Sequence, residues 1–181
     1  MSIPEALNPA DALKAAYPSL VREVIQFRDE TTLVVQPKDV PAVLRYLRDT
    51  AGLIYNYLSD ISAVDYYEPH GASNRPERFG VCYHLYSMLY NRRLRVKTYV
   101  PEANPVVPTA TTIWRAANWV EREIYDLMGI TFEGHPDMRR IMMPADWQGH
   151  PHRRDYPLSY ETPQFSFNAE AIRQNKPFAK E

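Results

Sequence analysis

Two adjoining segments between Phe79 and Val100 restrict the fold more than any other part of the sequence. The segment Phe79–Tyr90 is apolar at odd and at even positions, which is typical of a strand covered on both faces. A turn at Asn91-Arg92 follows. Beyond it apolar and basic residues alternate, and the two sets are Leu94, Val96, Thr98 and Val100 against Arg93, Arg95 and Lys97. This alternation predicts a second strand with one face in the core and one face exposed to water or kept for a partner.

Further strands are predicted on either side of this pair. Residues 21–35 are expected to form two short strands around the polar turn Arg28-Asp29-Glu30. Residues 53–58 and 61–67 are rich in aromatic and β-branched side chains, which favour strand. A polar loop over residues 68–78 then leads into the apolar strand.

Three segments have the spacing of helices. The first covers residues 9–20, with Leu13, Ala16 and Tyr17 on one side. The second begins at an N-cap Asp39 and ends at Gly52. After a proline-rich loop over 101–108, the third runs from about Thr111 to Met128 and ends at Gly129. Hairpin strands separated by helices predict an α+β domain over residues 1–141, with helices packed on a mostly antiparallel sheet.

The third helix has an unusual distribution of side chains. Its core stripe is predicted to consist of Ile113, Ala116, Ala117, Val120, Ile124 and Leu127. Trp114, Trp119 and Tyr125 lie outside this stripe. Large aromatic side chains outside a core indicate a contact surface.

Three carboxylates lie in the last two turns of this helix. Glu121 and Glu123 flank the core stripe, and Asp126 lies on the far face with Arg115 and Arg122. The helix dipole disfavours anions at this end. Two interpretations follow: either the carboxylates have cationic or hydrogen-bond partners, or they form a solvated acidic face. The candidate partners are Arg139, Arg140, Arg153 and Arg154.

Residues 142–181 are predicted to form an extended, proline-rich arm. Each proline keeps the preceding residue out of the helical region of backbone conformation. This part of the chain nevertheless carries large apolar side chains, in which a disordered tail would be poor. With Ile141, which directly precedes the arm, they are Met142, Met143, Trp147, Tyr156, Phe165 and Phe167. We therefore expect the arm to lie against a surface, either its own domain or, given its length, a partner subunit.

Composition and motifs exclude several classes of function. A net charge of −1 does not suit a nucleic-acid binder, and no apolar run is long enough to predict a membrane span. The N-terminus lacks the pattern of a secretory signal. The single cysteine, Cys82, cannot form an internal disulfide or provide the four ligands of an iron–sulfur cluster.

Candidate chemical residues are few. The ligand types of zinc or iron occur in the C-terminal third without the spacing of a metal motif, at His135, Asp137, Asp146, His150, His152 and Asp155. Cys82 and His84 are interpreted as core residues of the apolar strand. Asp60 and Asp65 are interpreted as strand-end and loop hydrogen-bonding residues.

One long stretch resembles a known family. Glu121–Ile141 reads Glu-Arg-Glu-Ile-Tyr-Asp-Leu-Met-Gly-Ile-Thr-Phe-Glu-Gly-His-Pro-Asp-Met-Arg-Arg-Ile. This closely resembles the signature of the 30-kDa subunit of respiratory complex I, the bacterial form of which is the proton-translocating NADH:quinone oxidoreductase. Residues 143–158 and 60–66 resemble further segments of that family, so the specific match covers roughly residues 55–158.

The resemblance implies a non-catalytic structural and assembly subunit in the hydrophilic arm of that enzyme, which passes electrons from NADH to quinone and pumps protons. It implies a peripheral position on the cytoplasmic side of the cell inner membrane, next to the 49-kDa-type subunit. It also implies no cofactor in this chain, with FMN, iron–sulfur clusters and quinone on other subunits. Two alternatives are an equivalent subunit of a ferredoxin- or hydrogenase-linked membrane complex, and a stand-alone metal-dependent hydrolase.

Residues for contact or bracing are therefore predicted on the third helix and along the arm, with no catalytic, cofactor-binding or metal-binding residue. The predicted set is Trp114, Trp119, Glu121, Arg122, Glu123, Asp126, His135, Arg139, Arg140, Trp147, His150, Arg153, Arg154, Asp155 and Tyr156.

Overall fold

The centre of the molecule is a five-stranded mixed sheet. The computed structural model describes residues 4–68 and 75–157, together with the single positions Glu170 and Gln174. The strands are β1 Val21–Phe27, β2 Glu30–Val35, β3 Tyr57–Asp65, β4 Phe79–Ser87 and β5 Arg92–Val100. Their order is β1-β2-β5-β4-β3, and every neighbouring pair is antiparallel except β2 with β5. The predicted α+β fold with a mostly antiparallel sheet is confirmed.

The hairpin of β4 and β5 lies inside this sheet, as its sequence pattern predicts. Tyr83 faces Val96 and Leu85 faces Leu94 on the side that packs against the helices. The expectation that β4 is covered on both faces is confirmed for residues 79–83, which are all buried. Farther along the strand, His84 and Tyr86 on the face opposite the helices are only half-buried. The strand also stops at Ser87, before the exposed Met88.

The helices are α1 Pro9–Ala16, α2 Val40–Asp49 and α3 Ala117–Met128. Helix α1 ends before Pro18, because proline disfavours helical backbone in the residue that precedes it. Leu13 is buried, but Ala16 and Tyr17 are exposed, so the predicted apolar side of this helix is wrong for these two residues.

Helix α2 begins differently from the prediction. Asp39 stands at the N-cap position, but a 3-10 turn over Pro37–Asp39 holds it in a helical backbone conformation, and its side chain makes no capping hydrogen bond. The apolar stripe of α2 is buried as predicted and consists of Val40, Val43, Leu44 and Leu47. The chain leaves the helix through Gly52, whose φ of 88° suits glycine.

Two short strands flank α3. These are β6 Val106–Pro108 and β7 Thr131–Glu133, which pair in parallel. The first lies in a segment predicted as loop. Between them, residues 111–116 form turns rather than the first part of the helix, so α3 starts at Ala117. Residues 51–53 form a turn and residues 54–56 an irregular segment before β3, so the strand predicted from residue 53 begins only at Tyr57.

Candidate functional site

The aromatic side chains of the α3 region do not form one contact surface. Trp114 lies in the core, and its indole N–H donates to the carbonyl of Asn56 at 3.2 Å. Tyr125 is half-buried with its ring edge-on to His150. Trp119 alone is widely exposed, at 65%, and the Arg122 guanidinium lies over its ring. The predicted contact role is therefore wrong for Trp114 and stays a prediction for Trp119.

Glu121 is fully buried instead of flanking the core. Its carboxylate accepts hydrogen bonds from the Thr109 hydroxyl at 2.5 Å and from the Ala110 backbone N–H at 2.6 Å. No arginine pairs with it among the described residues. Burial raises the pKa of Glu121 to about 7, although these two hydrogen bonds oppose the rise. The side chain therefore pins the turn before α3 to the helix, in the core and not at a surface.

The raised pKa of Glu121 predicts a pH-dependent stability. Between pH 4.5 and about 7 the folded protein binds more protons than the unfolded chain, so the free energy of unfolding falls as the pH rises through this range. The full loss corresponds to roughly 3 kcal/mol. Glu121→Gln has no charge to bury and should be at least as stable as the wild type at pH 8. Urea unfolding at pH 5, 6, 7 and 8 measures this.

The matched control for that experiment is Glu123→Gln, since Glu123 is an exposed carboxylate on the same helix. Its stability should keep the pH dependence of the wild type. Equal pH slopes for the wild type and Glu121→Gln would show that Glu121 is ionised without cost in the folded protein.

Asp126 is the centre of a second buried site, which we call the helix anchor: Asp126, Arg140, His150 and Arg153 with the end of α3. The Asp126 side chain has no exposed surface, although the helical wheel places it on the far face. Oδ1 accepts from the Arg140 guanidinium at 2.8 Å. Oδ2 accepts three backbone N–H groups, those of Ile141, Met142 and Met143, at 2.7–3.1 Å. Burial alone would raise the pKa of Asp126, but the hydrogen bonds and Arg140 lower it overall.

The helix anchor also provides hydrogen-bond donors for the carbonyl groups at the end of α3. The last carbonyl groups of a helix have no partner within it. Here His150 Nδ1 donates to the Asp126 carbonyl, the His152 N–H donates to that of Leu127, and Arg153 donates to that of Met128. Gly129 (φ 74°) leaves no room for a Cβ beside His150 and Arg153. The arm thus stabilises the C-terminus of the helix with donors and cations, as the dipole favours.

A third cluster, the strand anchor, consists of Asp65, Arg78, Glu102, Arg154 and Asp155. Arg78 binds Asp65 through two hydrogen bonds of 2.9–3.0 Å, and the two side chains are only 6% and 1% exposed. The same guanidinium donates to Glu102 at 2.5 Å and to Asp155 at 2.6 Å. The Arg154 backbone N–H donates to Asp65 at 2.9 Å. The arm is thereby attached to the ends of β3 and β4.

Burial lowers the pKa of Arg78 to some extent, but the pairs with Asp65 and Asp155 raise it overall. Burial would likewise raise the pKa of Asp65, and Arg78 with the Arg154 and Tyr67 amides lowers it. Both groups therefore stay charged at neutral pH. A charge pair this deeply buried is stable only because its hydrogen-bonding positions are filled.

The predicted arginine partners are confirmed only in part. Arg140 pairs with Asp126 as expected. Arg153 binds a carbonyl group, and Arg154 reaches Asp65 by its backbone and Glu68 by its side chain. Arg139 pairs with its neighbour Asp137 at the surface, and Glu123 is exposed.

Residues 135–143 run along α3 in the direction of the helix. His135 Nε2 donates to the Asn118 carbonyl near the start, and Arg122 donates to the Arg139 carbonyl in the middle. Farther on, the Tyr156 hydroxyl donates to the Gln148 carbonyl, and Trp147 is half-buried. The arm as far as Pro157 therefore lies on its own domain. Residues 158–181, including Phe165 and Phe167, lie outside the described residues apart from Glu170 and Gln174.

The candidate metal ligands are not brought together. Within residues 4–68 and 75–157, no group of three His, Cys, Asp or Glu side chains is placed to hold a metal ion. No helix in this part of the chain is long and apolar enough to cross a membrane.

Sequence reasoning missed Arg78, Glu102 and Thr109. Arg78 stands alone between a polar loop and an apolar strand, and nothing local marks it as buried. Its partners lie 13, 24 and 77 positions away along the chain. Only a signal of long-range pairing, such as covarying positions, could have identified it.

Comparisons with known proteins agree on one family. The family described as respiratory-chain NADH dehydrogenase, 30 Kd subunit, matches residues 33–162. A relative from Roseiflexus sp. (strain RS-1), named as a subunit of NADH-quinone oxidoreductase, is 43% identical over 94% of this chain and 95% of its own length. Another relative with the same name, from Geobacter metallireducens, is 45% identical over 81% of this chain and 86% of its own.

Two solved structures share the fold. The trypsin-resistant fragment (1–134) of Nqo5 superposes with a TM-score of 0.61 and 32% identity, over 72% of this chain and 99% of the fragment. A chain of the membrane-bound sulfane sulfur reductase, an archaeal respiratory membrane complex, gives a TM-score of 0.66 over 95% of this chain and 94% of its own. At 21% identity, the second likeness concerns the fold alone.

Proposed function

Because the chain belongs to the family of the 30-kDa subunit of respiratory-chain NADH dehydrogenase, we propose that it acts as a structural brace in that enzyme and takes no part in the chemistry. It is a subunit of NADH-quinone oxidoreductase, as its relatives are. In this proposal FMN, the iron–sulfur clusters and quinone belong to other subunits. The chain sits peripherally on the cytoplasmic side of the inner membrane, against the 49-kDa-type subunit, and the whole complex pumps protons.

The observation that carries the proposal is the double attachment of the arm. The helix anchor and the strand anchor hold residues 140–155 on the domain through buried charges. Such charges are specific in geometry, because each needs its own partner in place. They hold the arm in one position on the domain as far as Pro157. A rigidly held segment can brace a neighbouring subunit, which is what the proposal requires.

The experiment is to delete residues 158–181 in a strain that makes the native complex. Both anchors precede the deletion, so the shortened chain should keep the free energy of unfolding of the full chain. We expect markedly less assembled complex in the membranes, measured by native gel electrophoresis. The NADH:quinone turnover of each complex that does assemble should be normal.

Two outcomes would contradict the brace. If the shortened chain supports the full amount of active complex, residues 158–181 do not brace a neighbour. If the complex assembles in full amount but each copy turns over slowly, the chain takes part in the reaction and is not a structural element alone.

A second candidate is the equivalent subunit of a related membrane respiratory complex. The superposition on the sulfane sulfur reductase chain supports it, since one fold serves both kinds of complex. The proteins that co-purify with this chain in mild detergent distinguish the two. An NADH-oxidising subunit among them supports the first proposal.

A further inference from the structure

The face of the sheet opposite the helices is uncovered in the described part of the chain. Helices α1, α2 and α3 share one hydrophobic core with the other face, and that core contains Tyr83 and Val96. The uncovered face is formed by the alternate residues of each strand. Val34 and Cys82 lie on it, are buried by their neighbours, and do not belong to the core cluster.

A row of three cations runs along the middle of this face. Arg93, Arg95 and Lys97 are alternate residues of the central strand β5, so they are spaced about 7 Å apart. The residues opposite them on β2 and β4 are uncharged at neutral pH and are Thr32 and Val34 on one side and Tyr86, His84 and Cys82 on the other. The carboxylates of this face lie farther out, at Glu23 of β1, Glu30 at the start of β2 and Asp60 of β3. Burial, followed by Arg95, lowers the pKa of His84 and keeps it neutral.

Two of these cations are held in place. Arg95 Nε donates to the Thr32 hydroxyl at 2.8 Å, and the Lys97 ammonium donates to the Tyr66 hydroxyl at 2.6 Å. The nearest carboxylate to Arg95 is that of Glu30, at 3.7 Å and 63% exposed. Glu30 is therefore a salt-bridge partner of Arg95, whereas Arg93 and Lys97 have no carboxylate partner among the described residues. Charges that are pre-positioned lose little freedom when an anion binds.

Apolar side chains surround the row. Phe27, Tyr57 and Val64 lie on the same face and are 63%, 47% and 40% exposed. At the end of the face near Phe27, a cavity of about 680 Å³ opens between the β1–β2 turn and the hairpin of β4 and β5. Its lining includes Tyr57, Tyr86, Arg93 and Arg95, together with Asp29 and Glu30 of the turn. Arginine, tyrosine and exposed apolar groups in one concave surface are typical of a protein interface.

We propose that the cationic row of β5 on this sheet face docks an acidic segment of another subunit of the complex, with carboxylates on Arg93, Arg95 and Lys97 and an apolar side chain in the cavity. The inference rests on the proposed function and adds a second contact to it. Residues 135–157 are attached elsewhere on the domain. Residues 158–181 carry three acidic and three basic side chains, so their sequence is not that of an acidic segment. A partner with carboxylates 6–7 Å apart, along a strand or at i,i+4 of a helix, matches the row.

Photo-crosslinking in the intact complex tests the proposal directly. A benzophenone amino acid replaces Tyr57, which is exposed beside the cavity, and Trp119 in a parallel sample serves as a site on the opposite side of the domain. We expect the position-57 crosslink to join this chain to another subunit, at a peptide that contains several Asp or Glu. Crosslinks to this chain itself or to lipid, or no crosslink, would overturn the proposal.

Competition between the wild-type chain and a variant for incorporation into the complex measures how much the cationic row contributes to docking. Cells make a tagged wild-type chain and a variant together, and the ratio of the two in the purified complex is compared with their ratio in the cell. Arg93→Glu should be incorporated at least about tenfold less than the wild type, because it sets like charges against each other. Arg115→Glu, an exposed arginine on the helix side, should compete equally.

Equal incorporation of Arg93→Glu would contradict the docking surface, and urea unfolding of the purified variant checks that it folds. The proposed function fails in a different way. If the wild-type chain does not purify with NADH-quinone oxidoreductase subunits at all, the assignment to that complex is wrong. If the wild-type chain does purify with these subunits, but Arg93→Glu is incorporated as well as the wild type, only the proposed docking at the sheet face is wrong.

Discussion

Asp126→Ala is expected to lower the free energy of unfolding by about 3–5 kcal/mol, a large part of the stability of a domain of this size. The substitution removes the acceptor of the Ile141, Met142 and Met143 amides and leaves the Arg140 guanidinium, which is 19% exposed, without its carboxylate. Each orphaned group loses a hydrogen bond that water cannot fully replace in a buried site. Urea unfolding of the purified full-length chain measures the loss.

Hydrogen exchange locates the effect. The amides of residues 141–143 should exchange much faster in Asp126→Ala than in the wild type, because their acceptor is gone. The control is Asp137→Ala, which removes a carboxylate from the same segment. Asp137 pairs only with the exposed Arg139, so stability and amide exchange should stay as in the wild type. If both variants behave alike, the helix anchor contributes no more than a surface ion pair.

The pH dependence of Asp126 has the opposite sign to that of Glu121. Its folded-state pKa is lowered, so the stabilisation it provides is complete above the unfolded-state value near 4 and is lost as the pH falls through the folded-state value. The wild type should therefore lose stability below about pH 4 more steeply than Asp126→Ala.

Arg78→Met should destabilise the chain by a similar amount, about 3–5 kcal/mol. Methionine keeps most of the apolar volume of the arginine between the Tyr67 and Phe79 rings. It removes the cation from Asp65, which is 1% exposed, and leaves this carboxyl group in the interior without its charge partner. Asp155 also loses its partner, so the arm should detach next to Pro157. Urea unfolding together with limited proteolysis of the arm measures both consequences.

A double-mutant cycle separates the buried charge from the loss of contacts. Adding Asp65→Asn to Arg78→Met removes the unpaired carboxylate and should restore part of the lost stability. Arg139→Met is the control for removing an arginine from an exposed pair and should have no measurable effect. If the double variant is as unstable as the sum of the two single ones, the charge pair is not the source of the stability.

Much of the fold follows from local patterns. The alternation in Leu94–Val100 and the apolar run of Phe79–Ser87 correctly predict the central hairpin, because the side-chain period of a strand shows which residues share a face. The buried stripe of α2 was also predicted correctly, because apolar residues three and four positions apart share one face of a helix. The start of α3 was not, because residues 111–116 have helical spacing but are held as turns by contacts around Thr109 and Ala110.

The bracing site was predictable only as a region. Residues 121–158 and the excess of charge at the end of the helix were visible in the sequence, and Arg140 was one of four arginines expected to pair. That Asp126 is buried could not be read from a helical wheel. The wheel places it opposite the core, and its burial comes from residues 140–143 folding back over that side.

The sequence by itself determined the presence of the five central strands and of three helices, and the family, since each depends on residues that are near neighbours along the chain. The tertiary structure decided which carboxylates are buried and what they bind. Glu121 binds Thr109, which lies 12 positions earlier in the chain, and Asp65 binds Arg154, which lies 89 positions later. The state of a charged group depends on the solvent and partners that surround it in space. Helix α3 therefore ends not in a solvated acidic face but under an arm that binds its carbonyl groups and buries its aspartate.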